Sequence, residues 1–261
     1  MTTTIDGVRV ERRGQVLWIT LDRPERRNAL NAAAAARLAA AFGELASDRS
    51  LRAGILTGAG EKAFCAGADL AADAADLRPD LSESTAPYAN LLRRLHAVPV
   101  PLIARVNGAC LAGGIGLVAL CDMAIAADHA RFGAPEVKVG LFAMQVYSAL
   151  QHIVPAKLLF EWCVTGDSVD AASAQAAGLV NRVVPMAELD QATDALLERV
   201  VDKSPLAVRR GKHAMRSVAH LGFPDSLAFM EAQIALLASS DDAKEGLAAF
   251  REKRPPNWVG H

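Results

Sequence analysis

The stretch from Val106 to Leu120, V-N-G-A-C-L-A-G-G-I-G-L-V-A-L, passes from an apolar strand through a glycine-rich turn into an apolar helical run. Gly113, Gly114 and Gly116 carry no Cβ, so backbone N–H groups there can come close to a ligand. At a helix start, those donors and the helix dipole favour developing negative charge. The same glycines would also serve as spacers where a helix packs tightly on a neighbour. A second small-residue turn, K-A-F-C-A-G-A-D-L, carries a carboxylate at Asp69, a residue type that would equally suit a cap on the following helix. A third segment, F-G-A-P-E-V-K-V-G-L, puts Glu136 behind a proline in a mostly apolar setting. Burial there would raise its pKa and suit it to general acid–base work.

Other chemistries find no support. G-x-G-x-x-G is absent, T-G-A-G-E-K-A fails the phosphate-loop spacing, and there is no G-x-S-x-G. His96, His129, His152, His213, His220 and His261 form no metal-like pair. Cys65, Cys110, Cys121 and Cys163 are too widely spaced for a zinc or dithiol motif. No metal is expected, and the cysteines read as reduced, buried small residues.

The elements that must position these groups alternate between strand and helix. Val8–Val10 and Val16–Leu21 read as a hairpin through Arg13-Gly14-Gln15. Asn31 is the candidate N-cap of an alanine-rich helix with Leu38, Phe42 and Leu45 at helical spacing. Arg52–Thr57 reads as a buried strand. Residues 71–87 read as a frayed helix or loop, and a helix bearing Leu91, Leu92 and Leu95 follows. Strands are expected again at Leu102–Val106, Met123–Ala126 and Leu179–Val184, with helical segments through Phe160 and at Ala171–Ala177. This alternation indicates an α/β fold. Beyond about residue 190 only helices are expected, starting at Ser204-Pro205, Pro224 and Ser240-Asp241-Asp242. The second of them places Leu227, Met230, Ile234 and Leu237 on one face, which needs its own core or a neighbouring subunit to pack on.

At 261 residues, 52% hydrophobic and 22% charged, the chain can bury a substantial core. A formal charge of −1 and a pI near 6.6 give no reason to expect nucleic acid or an anionic membrane as partner. M-T-T-T-I-D-G lacks a basic segment followed by an apolar core, so no secretion signal is expected. Arg105, Asn107 and Asp122 interrupt the longest apolar run, which argues against a membrane span. A cytoplasmic location is the expectation.

Taken together, D-R-P-E-R-R-N-A-L-N, F-C-A-G-A-D-L, N-G-A-C-L-A-G-G-I-G-L-V-A-L-C-D and F-G-A-P-E-V-K-V-G-L resemble, in order and spacing, the crotonase (enoyl-CoA hydratase/isomerase) family. T-G-D-S-V-D-A-A-S-A-Q-A-A-G-L-V-N-R-V-V-P and A-A-F-R-E-K-R continue the match, so it covers nearly the whole chain. The resemblance implies a crotonase-like spiral of ββα units over residues 1–197 and a C-terminal helical region over 198–261, assembled as a trimer or dimer of trimers. It implies an acyl-CoA thioester as substrate, with no cofactor beyond the CoA that the substrate carries. The N–H groups of Ala68 and Gly113 would form an oxyanion hole, and Glu136 would be the acid–base carboxylate. Arg26, Ala66, Asp69 and Leu70 would lie along the CoA, and Phe250 and Lys253 would meet its nucleotide end, from an adjacent subunit. The 71–87 loop would border the acyl pocket.

Two positions depart from the hydratase pattern. Hydratases of this family hold the attacking water between two glutamates; Glu136 matches the second, while the first falls on Gly116. A glycine near the water site is replaced by Met144. Moving one proton between the α- and γ-carbons of an enoyl-CoA needs only one acid–base group, and the family's monofunctional isomerases look like this at both positions. Other members named hydratases also carry glycine at the first position. Enoyl-CoA hydration is therefore expected, with a single-glutamate Δ3,Δ2-enoyl-CoA isomerase or a catalytically silent acyl-CoA-binding protein as alternatives.

Overall fold

The computed structural model describes residues 4–69 and 86–261. Leu70 and nearly all of the expected 71–87 loop lie outside the described residues. The hairpin forms as expected. After a short β1 (Thr4–Ile5), β2 (Val8–Arg13) pairs antiparallel with β3 (Val16–Leu21), in a register that sets Arg13 opposite Val16. Asn31 then caps α1 (Ala32–Ser47), its side chain accepting from the Ala34 N–H at 2.9 Å.

From here the chain alternates between two sheets. β4 (Ala53–Gly58) enters the large sheet beside β3, and β5 (Ala63–Cys65) starts the small one. After α2 (Pro87–His96), β6 (Leu102–Val106) returns to the large sheet and β7 (Ala109–Leu111) to the small one, leading into α3 (Gly113–Leu120). β8 (Met123–Ala127) and β9 (Arg131–Gly133) repeat the step. The large sheet runs β1-β2-β3-β4-β6-β8-β11 and the small one β10-β9-β7-β5, where β10 is Val169–Asp170 and β11 is Arg182–Val184. This is the expected spiral. β11 is shorter than the strand expected from Leu179.

The parallel strands of the large sheet are buried on both faces, so they read as apolar runs rather than alternations. On one face α1 lays down Ala34, Leu38, Ala41, Phe42 and Leu45, with the helical period expected of a buried stripe. On the other, Trp18, Ile55 and Ile103 meet Leu196, Leu197 and Val200 of α7 (Leu189–Val201). That helix runs across residue 197. The segment after β9 holds two helices, α4 (Met144–Leu150) and α5 (Ala156–Thr165), with Pro155 between them. α6 (Ala171–Ala176) follows β10.

The C-terminal helices are α8 (Pro205–Val218), α9 (Phe223–Ala238) and α10 (Asp241–Glu252). Ser204 and Ser240 cap the first and third through the Ala207 and Ala243 N–H groups. α8 is tied to the core by Lys212, which donates to Val100 O at 2.6 Å and to the Asp122 carboxylate. α9 buries none of its residues, and Phe223 and Ile234 remain 77% and 61% exposed. Of its apolar face, Met230 and Leu237 are half-buried while Leu227 and Ile234 stay exposed. No described helix is long and apolar enough to cross a membrane.

Two buried asparagines fasten the start of the small sheet. Asn107 accepts from the Gly58 N–H at 3.1 Å and donates to Gly60 O and Ala63 O at 2.6 and 3.2 Å. Asn28 accepts from the Arg23 N–H at 3.0 Å and donates to Ala59 O and Ala63 O at 3.0 and 2.7 Å. Asn107→Ala leaves the buried Gly58 N–H without its acceptor and removes a donor from Gly60 O, while Ala63 O keeps Asn28. Urea unfolding followed by circular dichroism is expected to show a loss of about 1–3 kcal/mol, the cost of an unsatisfied buried polar group.

Candidate active site

The three segments singled out in the sequence emerge from three neighbouring strands. β5, β7 and β9 are parallel and adjacent, with Cys65 opposite Cys110 and Leu111 opposite Gly133. They stop abreast, so the residues just past their C-terminal ends gather at one edge. Ala66–Asp69, Ala112–Gly113 and Pro135–Glu136 are those residues. Loops at the carboxyl edge of parallel strands are a common place for ligand sites.

Past β5 the chain is held by a single parallel bridge between Leu30 and Ala68. The Leu30 N–H donates to Gly67 O at 2.7 Å, and Leu30 O accepts from the Asp69 N–H at 2.8 Å. In this pattern the flanking residues bond to the partner strand, so the N–H and C=O of Ala68 itself face away from it. Arg23 steadies the turn, donating to Ala29 O at 2.6 Å and to the Asp69 carboxylate at 2.7 Å, an ion pair with side chains only 17% and 7% exposed. Asp69 is therefore held by Arg23, 46 residues earlier, a contact its sequence neighbourhood gave no sign of. Ala66 donates to Arg27 O at 3.1 Å, and Arg26 is exposed on the short 3-10 turn Pro24–Arg26.

Past β7 the chain reverses at Ala112, whose φ is +48°. A non-glycine residue so placed costs about 1–3 kcal/mol and persists only where its surroundings hold it. Here the Ala112 N–H donates to Gly133 O at 2.9 Å. The reversal makes Gly113 the first residue of α3. Gly67, at φ +95°, is packed against it: a Cβ on Gly67 would lie 2.5 Å from Ala112 Cβ and 3.4 Å from Gly113 N. A Cβ on Gly114 would lie 2.4 Å from Cys65 O. The spacer role of Gly67 and Gly114 therefore packs the turn after β5 against the start of α3, where Gly113 lies. Among the described residues, neither the Ala68 N–H nor the Gly113 N–H has an acceptor.

Past β9, Glu136 sits on the 3-10 turn Pro135–Val139, which Gly140 ends at φ +80°. The carboxyl is half-buried and its Oε2 is fully enclosed, with no hydrogen-bond partner among the described residues. Burial pushes the Glu136 carboxyl above the ordinary glutamate value, against the pull of its own backbone amide. Tyr88, at the start of α2, donates its hydroxyl to Gly113 O at 2.5 Å. Burial raises its phenol well above the ordinary value, with smaller contributions from Cys65, Cys110 and the Glu136 charge. The Glu136 charge also follows burial as a cause of the raised Cys163 thiol. Cys65, at the end of β5, is pushed up to about 12 by burial and is no thiolate nucleophile at neutral pH.

The spiral of two sheets has counterparts among known proteins. The family model for enoyl-CoA hydratase/isomerase matches residues 11–261. The chain belongs to the enoyl-CoA hydratase/isomerase family. An enoyl-CoA hydratase of Mycobacterium smegmatis with a known crystal structure is 38% identical and superimposes with a TM-score of 0.91, over 97% of this chain and 98% of that one. An enoyl-CoA hydratase of Bacillus anthracis superimposes with a TM-score of 0.91 at 30% identity, over 98% of this chain and 100% of that one. A Salmonella arizonae protein named carnitinyl-CoA dehydratase is 36% identical over 98% of this chain and 99% of its own length. The chain is accordingly an enzyme of this family.

Of the other positions singled out, Gly116 is buried in α3, and Met144 is exposed at the start of α4. Phe250, 84% exposed, and Lys253 lie on and just past α10. Among the described residues no hydrogen bond or ion pair links them to the strand-edge cluster. Tyr88 is the residue that sequence reading missed. It is one of only two tyrosines, but nothing in the spacing ties it to α3.

The raised Glu136 pKa has a stability consequence. A group whose folded pKa lies above its unfolded one favours folding below the unfolded pKa, and that favour is lost as pH rises through the folded value. Wild type therefore carries the cost of a buried carboxylate at neutral pH, and Glu136→Gln does not. Urea midpoints measured at about pH 4.5 and about pH 8 are expected to show the variant gaining on wild type as pH rises. A gap that does not change with pH would mean the site does not oppose ionisation.

Proposed function

We propose that the enzyme adds water reversibly across the α,β double bond of a 2-enoyl-CoA thioester. What supports this reading is that Gly67 packs against the Ala112–Gly113 turn, so the segments carrying the Ala68 and Gly113 amides lie at one strand edge with Glu136, whose enclosed Oε2 has no partner among the described residues. The thioester oxygen sits between the two N–H groups, at the N-terminal end of α3. As the water oxygen bonds to the β-carbon, Glu136 takes a water proton and the π electrons move onto the thioester as an enolate. The two amides and the helix dipole stabilise that charge, and one such donor typically contributes about 2.7–4 kcal/mol. Glu136 then returns its proton to the α-carbon. Enolate, donors and carboxylate complete the reaction without a further cofactor.

The relatives named hydratase and dehydratase support hydro-lyase chemistry. Gly116 favours a second reading, in which Glu136 moves a proton from the α- to the γ-carbon through the same enolate and no water is added. Arg26, Ala66, Asp69 and Leu70 would border the CoA, Asp69 by fixing the turn that Arg23 holds. Phe250 and Lys253 would meet the nucleotide end from a neighbouring subunit. The partly exposed apolar face of α9 supports a homo-oligomer, a trimer or dimer of trimers.

A panel of CoA thioesters, with a 2-enoyl and a 3-enoyl substrate run in parallel and products weighed by mass spectrometry, separates the readings: hydration adds the mass of water, isomerisation none. Glu136→Gln is expected to lower turnover about 10²–10⁴-fold. The acid limb of kcat/KM is expected above the ordinary glutamate pKa, since the carboxylate form is the base. Unchanged turnover in the variant would remove Glu136 from the mechanism. Light scattering is expected to return a mass that is a multiple of three chains; a monomer would contradict the assembly.

A further inference from the structure

Gly113 and Gly116 lie one helical turn apart on α3 and turn their bare faces to the same neighbour, Tyr88. A Cβ on Gly113 would lie 3.2 Å from Tyr88 Cε2 and 3.3 Å from Cζ. A Cβ on Gly116 would lie 2.5 Å from the hydroxyl oxygen but 3.7 Å from Cζ. The hydroxyl, and not the ring, therefore occupies the space at position 116. That same hydroxyl donates to Gly113 O at 2.5 Å. Gly113 O belongs to the peptide that follows the amide facing the thioester, so the bond restrains the first turn of α3.

We propose that Tyr88 is a positioning residue of this site. Its hydroxyl fills the place a carboxylate at position 116 would need and pins the first turn of α3, leaving Glu136 as the single acid–base group. The proposal rests on the reading of Gly113 N–H as an oxyanion donor. Because charge develops on that oxygen only as the reaction proceeds, a loosened donor lowers kcat more than it raises KM. Burial keeps the phenol protonated, so it remains a donor through neutral pH.

The test is a double-mutant cycle of wild type, Tyr88→Phe, Gly116→Ala and the double variant. In the tyrosine background the new methyl group collides with the hydroxyl; in the phenylalanine background it clears the ring. Gly116→Ala is expected to lower the urea midpoint in the first background. In the second it is expected to leave the midpoint unchanged or raise it, as alanine is the better helix former. Additive midpoint shifts would overturn the shared-space claim. With the thioester that the panel identifies, Tyr88→Phe and Gly116→Ala are each expected to lower kcat about 10-fold with KM within about twofold, and the double variant to be no worse than either. Wild-type kcat in Tyr88→Phe would overturn the positioning role. Glu136→Gln, assayed alongside, keeps the failures apart: if it retains turnover, the acid–base reading falls while the urea cycle still decides Tyr88.

Discussion

The parallel pairing of β5, β7 and β9 is the constraint on which the candidate site depends, because each strand is only three residues long and delivers its candidate residue within three residues of its end. A one-residue slip between β7 and β9 would displace Gly133 from Leu111 and release the Ala112 N–H from Gly133 O. The reversal that aims Gly113 would then lose its support. Small sheets are weakly specified by their own pattern, so register must come from elsewhere. Asn28 and Asn107 meet this need by converging on Ala63 O, the first carbonyl of β5.

The site concentrates features that oppose stability. Ala112 sits in a strained conformation, Gly67 and Gly114 give up side chains for close approach, and Glu136 holds a carboxyl out of water. Each is tolerable because the large sheet packs apolar side chains on both its faces. The division of labour is spatial: the large sheet supplies stability, and the small one spends part of it on aim. That division suits the main-chain donors of the proposed mechanism, since a backbone amide in a packed turn has no rotamer to lose and would need no reorganisation as charge appears on a thioester oxygen.

Local signals were legible wherever one residue type serves one backbone need. Asn31 and Ser204 read as caps and are caps, with side-chain oxygens on the expected amides. The three segments singled out as candidates were also legible, because glycine where a Cβ cannot fit and a carboxylate after proline are unusual in apolar surroundings, and the structure sets them at one strand edge. What the chain does not spell out is tertiary pairing. Arg23 and Asp69 are 46 residues apart, Tyr88 and Gly113 25 apart, and neither pair is linked by a period. The absence of a side chain at Gly116 could be read directly. What stands in its place depends on how α2 meets α3, which no local pattern encodes.

That substitution bears on how one carboxylate can serve two related reactions. Hydration and double-bond migration share the enolate and the group that carries the proton, so the oxyanion donors do not discriminate between them. Discrimination falls to whatever determines whether water stands beside the β-carbon or the γ-carbon stands beside Glu136. With two carboxylates, the protein itself holds the water. On the proposed reading, with Gly116 bare and the Tyr88 hydroxyl engaged on Gly113 O, Glu136 would hold it alone, and the shape of the acyl chain would become the second partner. A single-carboxylate site of this kind is therefore expected to draw more of its reaction specificity from the acyl group than a two-carboxylate site does.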